Sequence, residues 1–432
     1  MPDLPAAPTA RRDPYAALRL PEFRAYITAR FCLTLALQMQ STVVGWQVFK
    51  LTNDELSLGL IGLAEAIPSI GVSLIAGHVA DSVPRRRIVR LATLGFAICT
   101  ALLWSFVLPD AQTGPINLHN PLGALLTRYG ATPIYAVIFL SGLARGFISP
   151  ALFSFMPQLL PDRAMLPNAI TWTSTTWQTA SVAGPALGGL LLGFAGLPVA
   201  YGVDLALTVV SLVVLSAAVR PRPLPEHVGE RPPMLESLTT GLRFVFNNQL
   251  ILSSISLDLF AVLFGGAVAL LPVYAEKILL VGPQGLGLLR AAPGVGSVLM
   301  LAVLNYMPVR RRAGRKLLAA VAGFGLATIG FAYSTSFLLS LGLLFATGAF
   351  DAVSVILRSN LLHLHTPEGI KGRVSAVNSI FIGSSNEIGA FESGAAAKLF
   401  GTQASVAFGG LMTLLVVGVT AWKAKALREL EM

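Results

Sequence analysis

The sequence predicts an all-α membrane protein of about twelve transmembrane helices, arranged as two pseudo-symmetric bundles of about six helices each. Three observations carry that reading. Hydrophobic residues fill 54% of the 432 positions and charged residues only 12%, about half the charge of a soluble chain, so much of the surface must face lipid. Apolar runs of membrane-spanning length recur along the chain. Motifs of the first half return in the second.

A helix needs ~20 mostly apolar residues to cross the hydrocarbon core. Such runs fall at 25–49, 57–80, 88–109, 133–156, 168–194, 198–219, 247–275, 285–308, 317–335, 337–362, 375–399 and 403–424, broken by Pro, Gly or charge clusters. An even count puts both termini on one side. The expected organisation is a tail at 1–24, a first bundle at 25–219, a linker at 220–246, a second bundle at 247–424 and a tail at 425–432.

Basic residues orient these spans, because cytoplasmic loops are enriched in Lys and Arg. If the N-terminus is cytoplasmic, 23 of the 31 Lys and Arg face the cytoplasm, clustered at Arg85–Arg87, at Arg310–Arg312 and in the tails and linker. Four lie on the opposite side, Lys50, Arg128, Lys277 and Lys398, and the other four, Arg30, Arg145, Arg290 and Arg358, lie inside spans. The net charge of +10 is therefore a topology signal, and no nucleic-acid partner is expected.

The linker, with its RPRPLPEHVGERPP stretch, divides two repeats. A shift of 225 lays GLAEAIPSIG (62–71) on GLLRAAPGVG (287–296), matching Pro68 to Pro293, and also lays Arg85–Arg87 on Arg310–Arg312. A shift of 206 lays Gly142 on Gly348. The longer loop at about 110–132 accounts for the difference of 19.

Several function classes find no support. Cys32 and Cys99 lie apart inside apolar runs and read as small packing residues, and the five histidines make no metal-ligand spacing. There is no HExxH, Gly-x-Ser-x-Gly or Walker loop, so neither an enzyme, a metal, a cofactor nor ATP drive is expected. Residues 1–23 are polar and Pro-rich, unlike a cleavable signal peptide.

Two motifs and a set of charges carry the functional reading. Between the second and third spans stands Gly77-His78-Val79-Ala80-Asp81-Ser82-Val83-Pro84-Arg85-Arg86-Arg87. It resembles the loop signature of the major facilitator superfamily, departing from it at Ser82 and Pro84. The resemblance implies a latch, in which Asp81 pairs with Arg85 or Arg86 and a facing helix end in one conformation and releases in the other. Arginines that only set topology are the alternative.

The fifth span holds Gly184-Pro185-Ala186-Leu187-Gly188-Gly189, which resembles the antiporter motif of drug and metabolite exporters in this superfamily. Its glycines let helices approach and its proline bends the helix, a contact suited to a helix whose neighbour rocks; ordinary small-residue packing is the alternative. The Gln38-Met39-Gln40 segment with Trp46, LPDRAMLPNAI (160–170) and the stretch 348–394 resemble the branch of enterobactin exporters and macrolide efflux proteins. That resemblance runs from Leu20 to about Gly410 and implies the fold, export and proton coupling.

A charge at mid-bilayer costs at least ~2.5–3.5 kcal/mol and is seldom kept without use. The acidic ones are Glu65, Asp204, Asp258, Asp351, Glu387 and Glu392, and the basic ones Arg30, Arg145, Arg290 and Arg358. In the repeat, Glu65 matches Arg290 and Arg145 matches Asp351, so these charge-swapped pairs are expected to bridge the bundles and close a gate. Asp351 and Arg358 are seven apart and share a helix face. A carboxylate removed from water resists ionisation, as a proton carrier must near neutral pH. Asp351 and Glu387 are the first candidates for the cavity, then Glu65 and Glu392; Asp204, near a span end, reads as a buried ion pair or a snorkelling residue.

The expected function is secondary active, proton-coupled export of an amphiphilic small molecule by alternating access. Siderophore export is the alternative, and a non-transporting receptor or lipid-moving scaffold the rival from another class. Expected partners are the substrate, protons and the bilayer. The chain is expected to be a monomer in the cell inner membrane with both termini cytoplasmic.

Overall fold

The computed structural model describes residues 13–108, 120–220, 234–306, 312–367 and 370–430. The long helices are α1 (Pro21–Thr52), α2 (Glu55–Ser82) and α3 (Arg85–Val107), then, past a short α4 (Gly123–Tyr129), α5 (Thr132–Phe155) and α6 (Leu166–Ala218). A short helix α7 (Met234–Asn247) precedes α8 (Gln249–Phe264), which continues through α9 (Leu271–Val273) into a π turn at Tyr274–Ile278. There follow α10 (Gly282–Tyr306), α11 (Ala313–Ala332), α12 (Phe337–His365), α13 (Lys371–Phe400), α14 (Thr402–Lys423) and α15 (Lys425–Arg428). Among the described residues there is no strand.

Nine of these helical stretches are long and apolar enough to cross a membrane. The 53-residue α6 holds two crossings, because Gly196 takes φ +81° and turns the chain back on itself. With Pro198 just after it, the break is built from the residues that favour one. The polar helices α1 and α13 complete the set of about twelve; both are about 30 residues long, and both owe their low hydropathy to a row of polar side chains facing the interior.

Helices α1, α2, α3, α5 and α6 pack on one another, and α8 and α10–α14 do likewise, giving two bundles. The repeat seen in sequence has a structural counterpart. Pro68 bends α2, and Gly142 of α5 lies against it: a Cβ on Gly142 would come within 2.7 Å of Pro68 Cγ. In the second bundle Pro293 bends α10, and Gly348 of α12 lies against its carbonyl. Each bundle thus seats a glycine where a proline has bent the neighbouring helix.

Both tails lie at one end, the tail side. Ala17 donates to Asn168 Oδ1 at the start of α6, and Gly314 at the start of α11 donates to Leu430. At the opposite end, the far side, three ion pairs join the bundles: Lys50 to Glu276 (2.6 Å), Lys277 to Glu55 (3.2 Å) and Lys398 to Asp54 (2.8 Å). Asp54 also caps α2 by accepting from Leu56, and Asn53 before it sits in the left-handed region that ends α1.

Candidate functional site

A cavity of about 650 Å³ lies between the bundles, inward of the three ion pairs, with Leu301 and Val355 marking its tail-side reach. Its polar wall comes from both bundles: Gln38 and Ser41 on α1, Glu65 on α2, Arg145 on α5, then Arg290, Asp351 and Glu387. Apolar walls are supplied by Trp177, Phe324 and Phe331. Trp177 is half exposed. A room of this size, apolar with a few converging charges, suits an amphiphilic small molecule.

The charged groups are not equivalent. Arg145 forms an ion pair with Glu65 on the neighbouring helix of its own bundle. Its other terminal nitrogen donates to Gln40 Oε1 at 3.4 Å, and the guanidinium stands 5.6 Å from the centre of the Phe96 ring. Arg290 has no carboxylate partner among the described residues; it donates to Ser41 Oγ (3.1 Å) and Thr42 Oγ1 (3.3 Å) across the bundle boundary. Asp351 and Glu387 carry no hydrogen bond or ion pair among the described residues, and a Cβ on Gly62 would touch Glu387 Oε2 at 3.4 Å.

This arrangement corrects the expected gate. The charge-swapped pairs do not bridge the bundles: Arg145 is held within the first bundle, and Arg290 reaches hydroxyls rather than a carboxylate. Ion pairs between bundles occur instead at the far rim, made by three of the four basic residues that lie outside the basic-rich side. Sequence reasoning passed over them as exceptions to a charge count. Their signal was that rarity.

Three further placements differ from expectation. Asp204 is neither paired nor snorkelling: it is wholly buried in the first bundle and accepts from Gln40 at 3.1 Å. Arg358 shares a helix face with Asp351 but pairs with Asp258 of α8. That buried pair borders a second cavity of about 360 Å³, where Asp351 and Asn386 also appear with His363 and Lys371. Glu392, half-buried on α13, meets Ser393 at 3.5 Å and stays outside the main cavity.

The model of the Major Facilitator Superfamily matches residues 26–390. The chain belongs to the major facilitator superfamily. Among curated proteins it is 28% identical over 406 residues to the enterobactin exporter EntS of Escherichia coli O1:K1, covering 92% of this chain and 90% of that one. The same protein from Escherichia coli O157:H7 matches equally. Among solved structures, the POT family transporter PepTSo superposes with a TM-score of 0.68 at 15% identity, covering 94% of this chain and 98% of that one. A second POT family transporter, in complex with 5-aminolevulinic acid, gives 0.67 at 10% identity. At such identities these two speak for the fold alone.

As a major facilitator transporter the chain places its two motifs in distinct roles. Arg85 donates to the Ser154 carbonyl at 3.1 Å, and Arg86 to the carbonyls of Leu215 and Ser216. Those are the last carbonyls of α5 and of α6, which a helix leaves unsatisfied and which attract cations. The arginines therefore clamp helix ends of the first bundle. The surroundings of Gly77 and the side chain of Asp81 lie outside the described residues. In α6, Gly184 and Gly188 face α1 of their own bundle, where added Cβ atoms would meet Gln38 Cβ at 2.6 Å and Met39 Cγ at 2.9 Å. Gly189 faces the other bundle, 2.5 Å from Gly287 Cα by the same measure, and the Pro185 carbonyl lies against Gly287 too. One motif thus packs a helix inward and outward at once.

Proposed function

We propose that this chain exports an amphiphilic small molecule from the cytoplasm, driven by protons, by rocking its two bundles about the central cavity. The observation that carries the reading is the pair of carboxyl groups, Asp351 and Glu387, unpartnered among the described residues, on the wall of a cavity that ion pairs close at the far side. A carboxyl without a fixed partner is free to exchange a proton for a substrate as access changes. Residues 25–219 and 247–424 are the moving bundles, and 220–246 their tether. The loop of Gly77, Asp81, Arg85 and Arg86 latches the tail side.

The basic-rich tail side is cytoplasmic by the positive-inside rule, so the cavity described here faces the cytoplasm and the far rim faces out. The chain works as a monomer in the inner membrane. Siderophore export is a second reading, favoured by the likeness to enterobactin exporters and by Arg290, a cavity cation that forms no ion pair among the described residues. An acidic substrate would complete it.

The test uses purified protein in proteoliposomes with the amphiphilic dye ethidium and an acidic siderophore as alternative substrates. Glu387→Gln and Asp351→Asn are expected to lose pH-gradient-driven flux while retaining downhill exchange, because an amide still hydrogen-bonds but cannot titrate. Uphill flux at the wild-type rate in both variants would remove proton coupling from these residues.

A further inference from the structure

The smaller cavity, about 360 Å³, lies within the second bundle, walled by α8, α12 and α13. It meets the main cavity at its inner end, where Val262, Asp351, Val355 and Asn386 line both. From Asp351 to Thr366 it follows α12 for about 22 Å toward the tail side. Two rows of polar side chains run along it at helical spacing. Ser359, His363 and Thr366 stand at the end of α12, and Lys371, Ser375 and Asn378 at the start of α13. Ser359, His363 and Ser375 are exposed.

The tail-side end of this cavity is electrically positive. Helix α13 begins there at Lys371 and runs for 30 residues, so the unsatisfied N–H groups of its first turn and the positive end of its dipole lie at that end. Ile370, just before it, supplies no side-chain cap. The outer side of the turn is covered: a Cβ on Gly241 of α7 would come within 2.9 Å of the Arg373 carbonyl, and Val374 is fully buried. Lys371 adds a full charge on the cavity side. Negative groups stand further in. Asp258 is neutralised by Arg358, and Asp351 marks the inner end.

A second observation is independent of the helix. Thr366 is 5% exposed and lies on the wall, and its Oγ1 has no hydrogen-bond partner among the described residues. A buried hydroxyl is seldom left so unless it receives a water or a ligand. We propose that the tail-side end of this cavity is an oxyanion site, where the first N–H groups of α13, the Lys371 ammonium and the Thr366 hydroxyl donate to one phosphate or carboxylate group. An ammonium carries three donors, so Lys371 can serve the anion alongside another partner. The ligand is a soluble oxyanion rather than a lipid headgroup, because the cavity opens into the central one between the bundles. For an acidic substrate the site is a first station on the way to Arg290, and in this the assignment rests on the export reading above.

The test is hydrogen–deuterium exchange of the full-length protein in phosphatidylcholine nanodiscs, with neither substrate nor gradient. Inorganic phosphate is the probe and potassium chloride at equal ionic strength the reference. With phosphate about tenfold above the dissociation constant read from its titration, exchange in the first turn of α13 is expected to slow by about tenfold, as mass action requires. Thr366→Val, which keeps the shape of the side chain, and Lys371→Gln are each expected to remove most of the slowing. Lys316→Gln, a tail-side charge outside the cavity, should keep it. If Thr366→Val or Lys371→Gln folds poorly, Ser375→Asp decides: at an exposed position on the same wall, it should abolish the slowing by repelling the anion. Slowing confined to nanodiscs that contain phosphatidylglycerol, with no phosphate added, would assign the site to a lipid headgroup and overturn the soluble ligand. Equal exchange in phosphate and chloride, or slowing that survives all three cavity variants, would overturn the site itself. None of these results depends on proton-driven flux, so the export reading stands or fails by the proteoliposome assay alone.

Discussion

Arg358 and Asp258 are 4% and 7% exposed and bonded to each other in the second bundle. Such a pair contributes little net stability beyond what apolar residues would give, but losing one member strands the other. Arg358→Met is expected to cost about 3–5 kcal/mol of stability, read as a lowered melting temperature in detergent. Adding Asp258→Asn should recover most of the loss. Failure of the double variant to recover would assign Arg358 a role beyond the pair. The sequence marked both residues through the expense of a charge at membrane depth, and it placed Glu65, Arg145, Arg290, Asp351 and Glu387 on the cavity by the same logic. It could not say which charge meets which. Arg358 passes over Asp351, two turns away on its own helix, for an aspartate a hundred residues earlier. Asp204 was misjudged for a related reason: its place near the start of an apolar run says nothing of the interior face it occupies opposite Gln40.

Helix α6 shows how one element can serve two surfaces. Gly188 packs against Met39 inside its bundle, while Gly189, the next residue and about 100° around the helix, packs against Gly287 of the other bundle. Substitutions at these adjacent positions should therefore fail differently. Gly188→Val is expected to overpack a fixed contact at a cost of about 1–3 kcal/mol, lowering stability. If the bundles rock as proposed, Gly189→Val strains a contact that parts when the far side opens, and should favour the far-open state instead. A cysteine at Leu58, on the cavity wall, reports the difference: a membrane-impermeant thiol reagent on the far side should label it faster in Gly189→Val alone. Equal labelling in both variants would deny Gly189 its place at a moving interface. At this scale the sequence was informative, because Gly-Pro-x-x-Gly-Gly names both the bend and the close approach. The division of labour among its glycines came only from the helices around them. The break at Gly196 was legible from Gly and Pro together, whereas the π turn at Tyr274–Ile278 carried no such punctuation.

Across the whole molecule, the far rim sets the balance between conformations. Its three ion pairs are partly exposed, with lysine side chains 38–51% accessible, so each contributes roughly 0.2–1 kcal/mol. Together they favour the closed rim by about tenfold, an estimate from those pair energies. Replacing Lys50, Lys277 and Lys398 with Gln is expected to raise the far-open population by that factor, measured as spin-label distances across the rim. An unchanged distance distribution would leave the closed rim to packing alone, at Gly189–Gly287 and at Gly62 against Ala390. The two-bundle plan was legible at this scale because repeats and apolar runs are properties of sequence. The rim was not, because a count of basic residues treats the few on the poorer side as noise.

Those three lysines also give the molecule an asymmetric sensitivity to its surroundings. Charges at the rim are bathed by the solution on one side of the membrane, where the Debye length falls from about 8 Å at physiological ionic strength to about 3 Å at 1 M. The Arg358–Asp258 pair, enclosed by protein, and the Glu65–Arg145 pair, set back on the cavity wall, are beyond the reach of the far-side solution while the rim is closed. Salt added to the far compartment therefore loosens the rim while the interior charge network keeps its strength, and the same salt on the tail side leaves the rim untouched. The medium on the far side becomes a weak modulator of how often the rim opens, acting with no binding site for any particular ion.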